Sequence, residues 1–304
     1  DVPEMDDLFQ TPKEAISRHS SKMHLVPPSG KPLKFDFDGY VLNRVAHDEN
    51  LVELAKKSGA DYLIDSMVEK VEGNQVLLKN GDSYSAKIIV DAGGHNGPLR
   101  RDYWNEKSVK IPVKFVLMDG DFGEAVELHF GSMAPGGYAW MFPKSKGANI
   151  GLGIQRSFAK GRNLNQYTDD FVSKYDGEIS FTGAGSLPMS GTLKKFVKGN
   201  YMLVGDSAGM VLPSNGAGIT IAMIGGRIAG QVISEHLSNG IPLEEYEKRW
   251  KKQMGKVMRN SKRSFKMGSM LFRLPDWILN LLFNRLTKNI IWRAVTCRRM
   301  LWVL

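Results

Sequence analysis

The residues best suited to chemistry lie in a glycine-rich segment at 205–218. Gly205-Asp206-Ser207-Ala208-Gly209 is followed by Gly216-Ala217-Gly218. The apolar run 201–204 before the segment predicts a strand, and the run from Ile219 to about Leu237 predicts a helix. A helix N-terminus offers free N–H groups and partial positive charge, and Asp206 can accept hydrogen bonds from hydroxyls. The pattern suits a phosphorylated, hydroxyl-rich ligand, although an ordinary strand–loop–helix junction has the same appearance.

Composition excludes several other kinds of site. The 304 residues include one cysteine, Cys297, and six histidines without metal-ligand spacing, so we expect no disulfide framework and no metal site. A single cysteine fits a reducing cytoplasm. No serine–histidine–aspartate pattern stands out, and no catalytic residue is assigned.

Charge is concentrated at the C-terminal end of the chain. Residues 248–304 hold 15 Lys or Arg and one acid, Asp276, which gives this segment a net charge of +14. Because the whole chain has a net charge of +9, the remaining residues carry 9 − 14 = −5. An acidic body argues against a nucleic-acid-binding core. The basic end, with Trp277, Trp292 and Trp302, is typical of an interfacial amphipathic helix at an anionic membrane surface. Packing of that helix on its own protein is the alternative.

The remaining pattern predicts an α/β (α+β) protein. Helical spacing covers 47–58, and strands are expected at 40–42 and 61–71 and on both sides of the Asn80-Gly81 turn, at 75–79 and 84–90. Short alternating runs then predict an antiparallel sheet at 113–117, 125–130, 138–142 and 148–154, with a helix at about 164–175. A split Rossmann-like domain interrupted by an antiparallel sheet would explain this order.

These elements divide the chain into five segments. Residues 1–35 form a linker or part of the β-rich domain, and 36–105 form the middle part of the nucleotide-binding domain. The β-rich domain spans 106–196, the nucleotide-binding domain resumes at 197–240, and a basic helical tail covers 241–304. Since clefts between such domains are usual ligand sites, we expect the site there.

Three motifs together resemble the geranylgeranyl reductase family of flavoproteins. The first runs from Tyr40-Val41-Leu42-Asn43-Arg44 through His47-Asp48 to Gly59-Ala60-Asp61. The second is Tyr138-Ala139-Trp140-Met141-Phe142-Pro143, followed after seven residues by Gly151-Leu152-Gly153. The third is the Gly205–Gly218 segment. The resemblance covers about residues 35–240 and implies a p-hydroxybenzoate hydroxylase-type fold with FAD as cofactor.

The resemblance implies roles for individual residues. Arg44 would lie near the flavin phosphates, although a surface ion pair with Asp48 is the alternative. Val68 would meet adenine through its backbone, or be a plain strand residue. The residues expected to hold the remainder of FAD are Asp206, Gly216, Gly218 and Ile219. The residues expected to line the substrate site are Tyr138, Trp140, Phe142, Pro143, Gly151 and Gly153, although packing in a plain core is the alternative for the three aromatic residues.

The implied activity is reduction of C=C bonds in a prenyl lipid by hydride from reduced FAD. The electron donor would be NADPH, ferredoxin or another low-potential carrier, and the enzyme would be cytoplasmic and peripheral at the membrane. An FAD-dependent monooxygenase or halogenase is one alternative, and a non-catalytic lipid-binding fragment is another.

The chain departs from the family pattern in its dinucleotide fingerprint. The family begins with Gly-x-Gly-x-x-Gly, and no such spacing occurs in the 304 residues. We therefore expect that roughly the first fifty residues of a family domain are missing, which is about the size of a strand–turn–helix unit. Asp91-Ala92-Gly93-Gly94 also stands where the family has Ala-Asp-Gly.

Overall fold

A computed structural model describes residues 11–106 and 108–297 of the chain. Its strands are β1 (Ile16–Val26), β2 (Leu33–Leu42), β3 (Val68–Glu72), β4 (Gln75–Leu78), β5 (Ser83–Ser85), β6 (Ile89–Asp91), β7 (Lys110–Asp119), β8 (Val126–His129), β9 (Tyr138–Pro143), β10 (Ala148–Gly153), β11 (Glu178–Pro188), β12 (Val197–Lys198) and β13 (Tyr201–Leu203). Its α-helices are α1 (Arg44–Lys57), α2 (Pro98–Tyr103), α3 (Leu164–Val172), α4 (Ile219–Asn239), α5 (Glu245–Leu271), α6 (Asp276–Leu282) and α7 (Lys288–Val295).

Seven strands form the largest sheet, in the order β11-β7-β10-β9-β8-β1-β2. All neighbours are antiparallel except β1 and β8, which run parallel. Successive side chains of β9 point to opposite faces of this sheet, so Ala139 and Met141 pack beneath α3. The sheet is therefore nearly, but not wholly, the antiparallel sheet that the sequence predicts.

The glycine-rich segment follows a second, smaller sheet. β13 runs parallel to β6 and antiparallel to β12, giving the order β12-β13-β6. A third sheet joins β3, β4 and β5, and the Asn80-Gly81 turn connects its last two strands. The expected strand at 84–90 therefore splits, because its first part pairs with β4 and its last part with β13.

Helices α4 and α5 pack against the small parallel sheet. The apolar face of α5 is buried there, and Trp250 in its second turn is only 2% exposed. Most of the predicted basic tail is thus a structural helix whose charged face points to solvent. Packing on its own protein is what the structure shows for α5.

The last two helices cover one face of the large sheet. The indole of Trp292 in α7 stacks on the ring of Phe35 in β2, with ring centroids 4.4 Å apart. Trp302 lies outside the described residues. Over residues 11–106 and 108–297, no helix combines the length and apolar character that a bilayer span requires.

Three expectations from sequence differ from the structure near the N-terminal end. The boundary expected after residue 35 falls inside β2, so residues 36–42 belong to the large sheet. The strand expected at 61–71 begins only at Val68, because Asp65 has a positive φ of 52° that interrupts extended backbone. Helix α1 begins three residues earlier than predicted, at Arg44.

Candidate functional site

The glycine-rich segment forms a compact turn at the N-terminus of α4. A Cβ placed on Gly218 would lie 3.6 Å from the Oδ1 atom of Asp206, so the acid and the start of the helix are adjacent. Gly216 has a φ of +71°, a left-handed conformation in which a side chain is strained. No side chain caps α4, and Ile219, its first residue, is partly exposed. The structure therefore brings Asp206, Gly216, Gly218 and Ile219 together around free helix N–H groups.

The carboxylate of Asp206 lies half-buried at this turn. Its carboxylate accepts no hydrogen bond from any residue that the structure describes. Burial raises the pKa of Asp206, and the neighbouring His95 offsets part of that rise. Burial also lowers the pKa of His95, with Lys110 adding to the effect, while its Nε2 lies 3.0 Å from the hydroxyl of Ser186. A partly buried carboxylate with unused acceptor capacity can take hydrogen bonds from a ligand's hydroxyl groups.

His95 is a neighbour of the site that the sequence did not reveal. It follows Gly94 in a loop without a histidine motif, and only the tertiary fold places it beside Asp206. No pattern of spacing along the chain could have identified it.

The second motif builds one wall of the site from aromatic rings opposite glycines. In the antiparallel pairing of β9 and β10, Tyr138 lies opposite Gly153 and Trp140 lies opposite Gly151. A Cβ on Gly151 would come within 2.6 Å of the Cζ2 atom of Trp140, so the indole occupies the space that a side chain would need. Trp140 and Gly151 thus pack together, whereas a Cβ on Gly153 would meet Val113 and Ile111 at 3.0 and 3.3 Å.

The aromatic side chains form a continuous row on the face of the large sheet that the C-terminal helices cover. Ring centroids of Tyr138 and Trp140 are 6.0 Å apart, as are those of Trp140 and Phe142. The indole N–H of Trp140 donates to the amide oxygen of Asn149 at 2.7 Å. Phe130 extends the row, with its centroid 6.2 Å from Tyr138. Pro143 ends β9 and is buried.

A single residue joins this aromatic row to the glycine turn. The hydroxyl of Tyr138 donates to the backbone carbonyl of Asn215 at 2.5 Å. The side chain of Asn215 accepts from the N–H of Ala217 at 3.0 Å and donates to the carbonyl of Val295 at 3.0 Å. Asn215 therefore links the sheet, the glycine turn and the end of α7. The sequence alone does not reveal this role, since an asparagine before a glycine predicts only a turn.

Of the remaining predicted cofactor residues, Arg44 is placed on an exposed surface. Its guanidinium pairs with Asp48 one turn along α1, at 3.0 Å. Burial alone would raise the pKa of Asp48, but hydrogen bonds from Arg44 and His47 lower it. The alternative reading of Arg44, a surface ion pair, is present, and no described contact joins Arg44 to Asp206.

Val68 lies in a large open cleft beside the small sheet. The cleft has a volume of about 870 Å³, and β3 and the end of β6 face each other across it. Asp91 lies at that end with its carboxylate turned inward, accepting from the N–H groups of Gly93 at 2.8 Å and Arg100 at 3.0 Å. Asp91 thus stabilises its own loop.

Residues that could hold a metal ion are not grouped anywhere in the described ranges 11–106 and 108–297. The candidate site therefore consists of the glycine turn, the Asp206 carboxylate and the aromatic row.

Comparisons with known proteins agree with this geometry. Residues 109–184, which include the aromatic row and its glycines, match the geranylgeranyl reductase catalytic domain. A digeranylgeranylglycerophospholipid reductase of Methanococcus vannielii is 31% identical over 95% of this chain, and the chain spans 80% of that protein's length.

Solved structures give the same fold. A geranylgeranyl bacteriochlorophyll reductase-like protein of Thermoplasma acidophilum has a TM-score of 0.82 at 25% identity, covering 94% of this chain and 81% of its own. A flavin-dependent brominase has a TM-score of 0.68 at 16% identity, covering 96% of this chain and 79% of its own, so it shares the fold. The sequence match over most of both proteins shows that the chain belongs to the geranylgeranyl reductase family of FAD-dependent oxidoreductases.

Proposed function

We propose that this chain forms the flavin-facing and substrate-facing parts of an FAD-dependent reductase. Its substrate is a lipid carrying geranylgeranyl chains, whose C=C bonds it reduces. The observation that carries the proposal is the half-buried Asp206 carboxylate, which lacks a hydrogen-bond partner among the described residues at the N-terminus of α4. The aromatic row that starts at Tyr138 adjoins it.

The glycine turn fits the flavin part of FAD. Asp206 would accept hydrogen bonds from ribityl hydroxyls, and the N–H groups at Gly218 and Ile219 would face the ring. Gly216 leaves room for backbone to approach the ligand, because it bears no Cβ. The positive end of α4 stabilises negative charge at this position. When bound and reduced, FAD supplies hydride, the part of the reaction that protein side chains cannot perform.

The ADP part of FAD needs a second element. Strand β6 pairs with β13 on one side, and its other edge faces the 870 Å³ cleft that holds Val68. Val90 in β6 and Met67 both line this cleft and are exposed apolar residues. A strand–turn–helix unit carrying Gly-x-Gly-x-x-Gly would extend the parallel sheet there and cover them.

The aromatic row orients the substrate chain and keeps water out. A prenyl chain is apolar and unbranched apart from methyl groups, so a flat row of rings beside the flavin position suits it. Reduction of an isolated alkene requires a proton at the second carbon, but no general base. This agrees with a site built from aromatic and glycine residues rather than from paired acids and histidines.

Membrane contact through the C-terminal helices is the second part of the proposal. Trp277 and Leu281, one turn apart on α6, are 64% and 66% exposed, and Leu286 is 92% exposed. Arg285 lies beside them, and apolar residues with a neighbouring cation suit the interface of an anionic bilayer. The enzyme would take its lipid directly from that surface.

Flotation with anionic vesicles tests the membrane contact. Leu286→Glu should abolish flotation, whereas Leu237→Glu, at an exposed leucine of α4, should not. Equal flotation of the two variants would refute the contact.

The activity is tested by anaerobic reduction of geranylgeranyl lipids. The chain is produced together with a family strand–turn–helix unit, loaded with FAD, reduced with dithionite and mixed with substrate. Product mass should rise by pairs of hydrogens, and no gain with any prenyl lipid would defeat the proposal. Oxygen consumption coupled to NADPH oxidation would instead favour a monooxygenase, and a colourless protein with no product would favour a non-catalytic lipid-binding protein.

A further inference from the structure

A second cleft lies beside the C-terminal helices, outside the glycine turn. It has a volume of about 880 Å³ and separates the loop at residues 156–162 from the α5–α6 connection at residues 272–275. Its lining includes Ser132, Phe158, Lys160, Arg162, Phe272 and Arg273. The proposed function uses none of these residues.

Positive charge in this cleft exceeds negative charge. Three cations line it against one acid, Asp276, whose two oxygens accept from the N–H and the hydroxyl of Ser132 at 3.0 and 2.6 Å. Arg162 pairs with Asp170 and stacks over Tyr167. Lys160 and Arg273 are therefore left as cations without an ion-pair partner among the residues that the structure describes.

The fold, rather than any contact between them, holds Lys160 and Arg273 near each other. Lys160 lies in the tight turn after Phe158, with a positive φ of 46°. The guanidinium of Arg273 lies over the ring of Phe158, 5.9 Å from its centroid. This stacking keeps the hydrogen-bonding edge of Arg273 available to an anion.

The cleft is continuous with the aromatic row. Phe272 lines the cleft and stacks on Phe130, with centroids 6.5 Å apart and planes 13° from parallel. Phe130 in turn neighbours Tyr138. A path therefore runs from two unpaired cations, along aromatic rings, to the glycine turn.

We propose that Lys160 and Arg273 bind the phosphate of an anionic prenyl-lipid headgroup, while the prenyl chain lies along the aromatic row. The proposal rests on the proposed function, which supplies the prenyl chain. Phosphate accepts charge-assisted hydrogen bonds from Lys and Arg, and these are stronger than neutral ones. Headgroup binding would fix which part of the chain reaches the flavin position.

Equilibrium binding tests this site without turnover. Geranylgeranyl monophosphate and geranylgeraniol are titrated in the same detergent into the wild-type chain and into Lys160→Gln/Arg273→Gln. The double variant should bind the monophosphate at least about tenfold more weakly, the scale expected for one charged hydrogen bond, and the alcohol unchanged. The matched control Arg263→Gln/Lys266→Gln removes two charges from exposed positions of α5 outside the cleft and should leave both affinities unchanged.

Each contrary outcome has a defined meaning. Equal weakening for the alcohol, or equal loss in the control, would show that the residues do not recognise phosphate and would overturn the proposal. Inorganic phosphate binding as tightly as the monophosphate would indicate a free-anion site and overturn it too. Intact headgroup binding without reduction of any prenyl lipid would refute the proposed activity and leave this site standing.

Discussion

The hydroxyl of Tyr138 donates a hydrogen bond to the backbone carbonyl of Asn215, 77 residues along the chain and 2.5 Å away. Burial raises the pKa of Tyr138 to about 12, so the phenol keeps its proton and remains a donor throughout the neutral range. This bond fixes the position of the aromatic row relative to the glycine turn. A neutral donor therefore joins the aromatic row to the glycine turn.

Removing that donor should loosen the site. Tyr138→Phe leaves the Asn215 carbonyl unpaired, and we expect a loss of about 1 kcal/mol in the free energy of unfolding and a lower kcat/KM for prenyl lipid. Denaturant titration and product mass measure the two effects. Tyr84→Phe, at an exposed tyrosine of β5, is the control. Equal effects of the two changes would contradict the assigned role.

Gly216 should not tolerate a side chain. Gly216→Ala places a Cβ at a φ of +71° and 3.0 Å from the Cδ1 atom of Leu187. We expect a cost of about 1–2 kcal/mol in stability and less bound flavin per protein. Gly226→Ala, at an exposed position inside α4 with open space around it, should instead stabilise by about 0.5–1 kcal/mol. Retention of full flavin content in Gly216→Ala would show that the turn does not approach the cofactor.

Asp206 should show opposing effects on stability and binding. Because burial raises its pKa in the folded state, folding binds its proton more tightly, and stability falls as pH rises from the ordinary value of 3.8 through the raised pKa. Asp206→Asn should therefore raise the free energy of unfolding at pH 7 by roughly 1 kcal/mol. Below pH 3.8 the variant and the wild type should be equally stable.

The same substitution should weaken flavin binding, which absorbance of the bound cofactor measures. The exposed Asp61→Asn is the control for both readouts. Reduced stability of Asp206→Asn at neutral pH would mean that the carboxylate has a structural partner.

Glu127 should contribute stability that disappears in acid. Its carboxylate accepts from His129 at 2.9 Å and lies 3.4 Å from His24. The hydrogen bond with His129 lowers the pKa of Glu127, although burial opposes it. The stabilisation is therefore complete above the ordinary pKa of 4.5 and is lost as pH falls through the lowered value.

Glu127→Gln should thus cost about 1 kcal/mol at pH 7, and the cost should shrink in acid below pH 4.5. Denaturation at a series of pH values checks this, with the exposed Glu178→Gln as control. A cost that stays constant down to pH 3 would rule out the ionised carboxylate as its source.

Local patterns predicted those elements whose residues carry their own signal. The Asn80-Gly81 turn and the alternating rings of β9 are decided by backbone preference and by the two faces of a strand. β11 escaped prediction because it is an edge strand with mostly exposed residues, so its sequence does not alternate. β1 escaped for a similar reason, since its burial follows from pairing with the distant β8. Asn215 and His95 gain their roles only from tertiary contacts.

The helix that covers the aromatic face of the large sheet lies far behind that face in the chain. Synthesis makes the aromatic row at residues 138–142 long before α7, whose Trp292 covers the adjoining Phe35. During that interval several aromatic rings face water on an unfinished protein, and exposed surfaces of this kind promote association between nascent chains. This aromatic face therefore stays exposed on the growing chain until α7 has emerged from the ribosome.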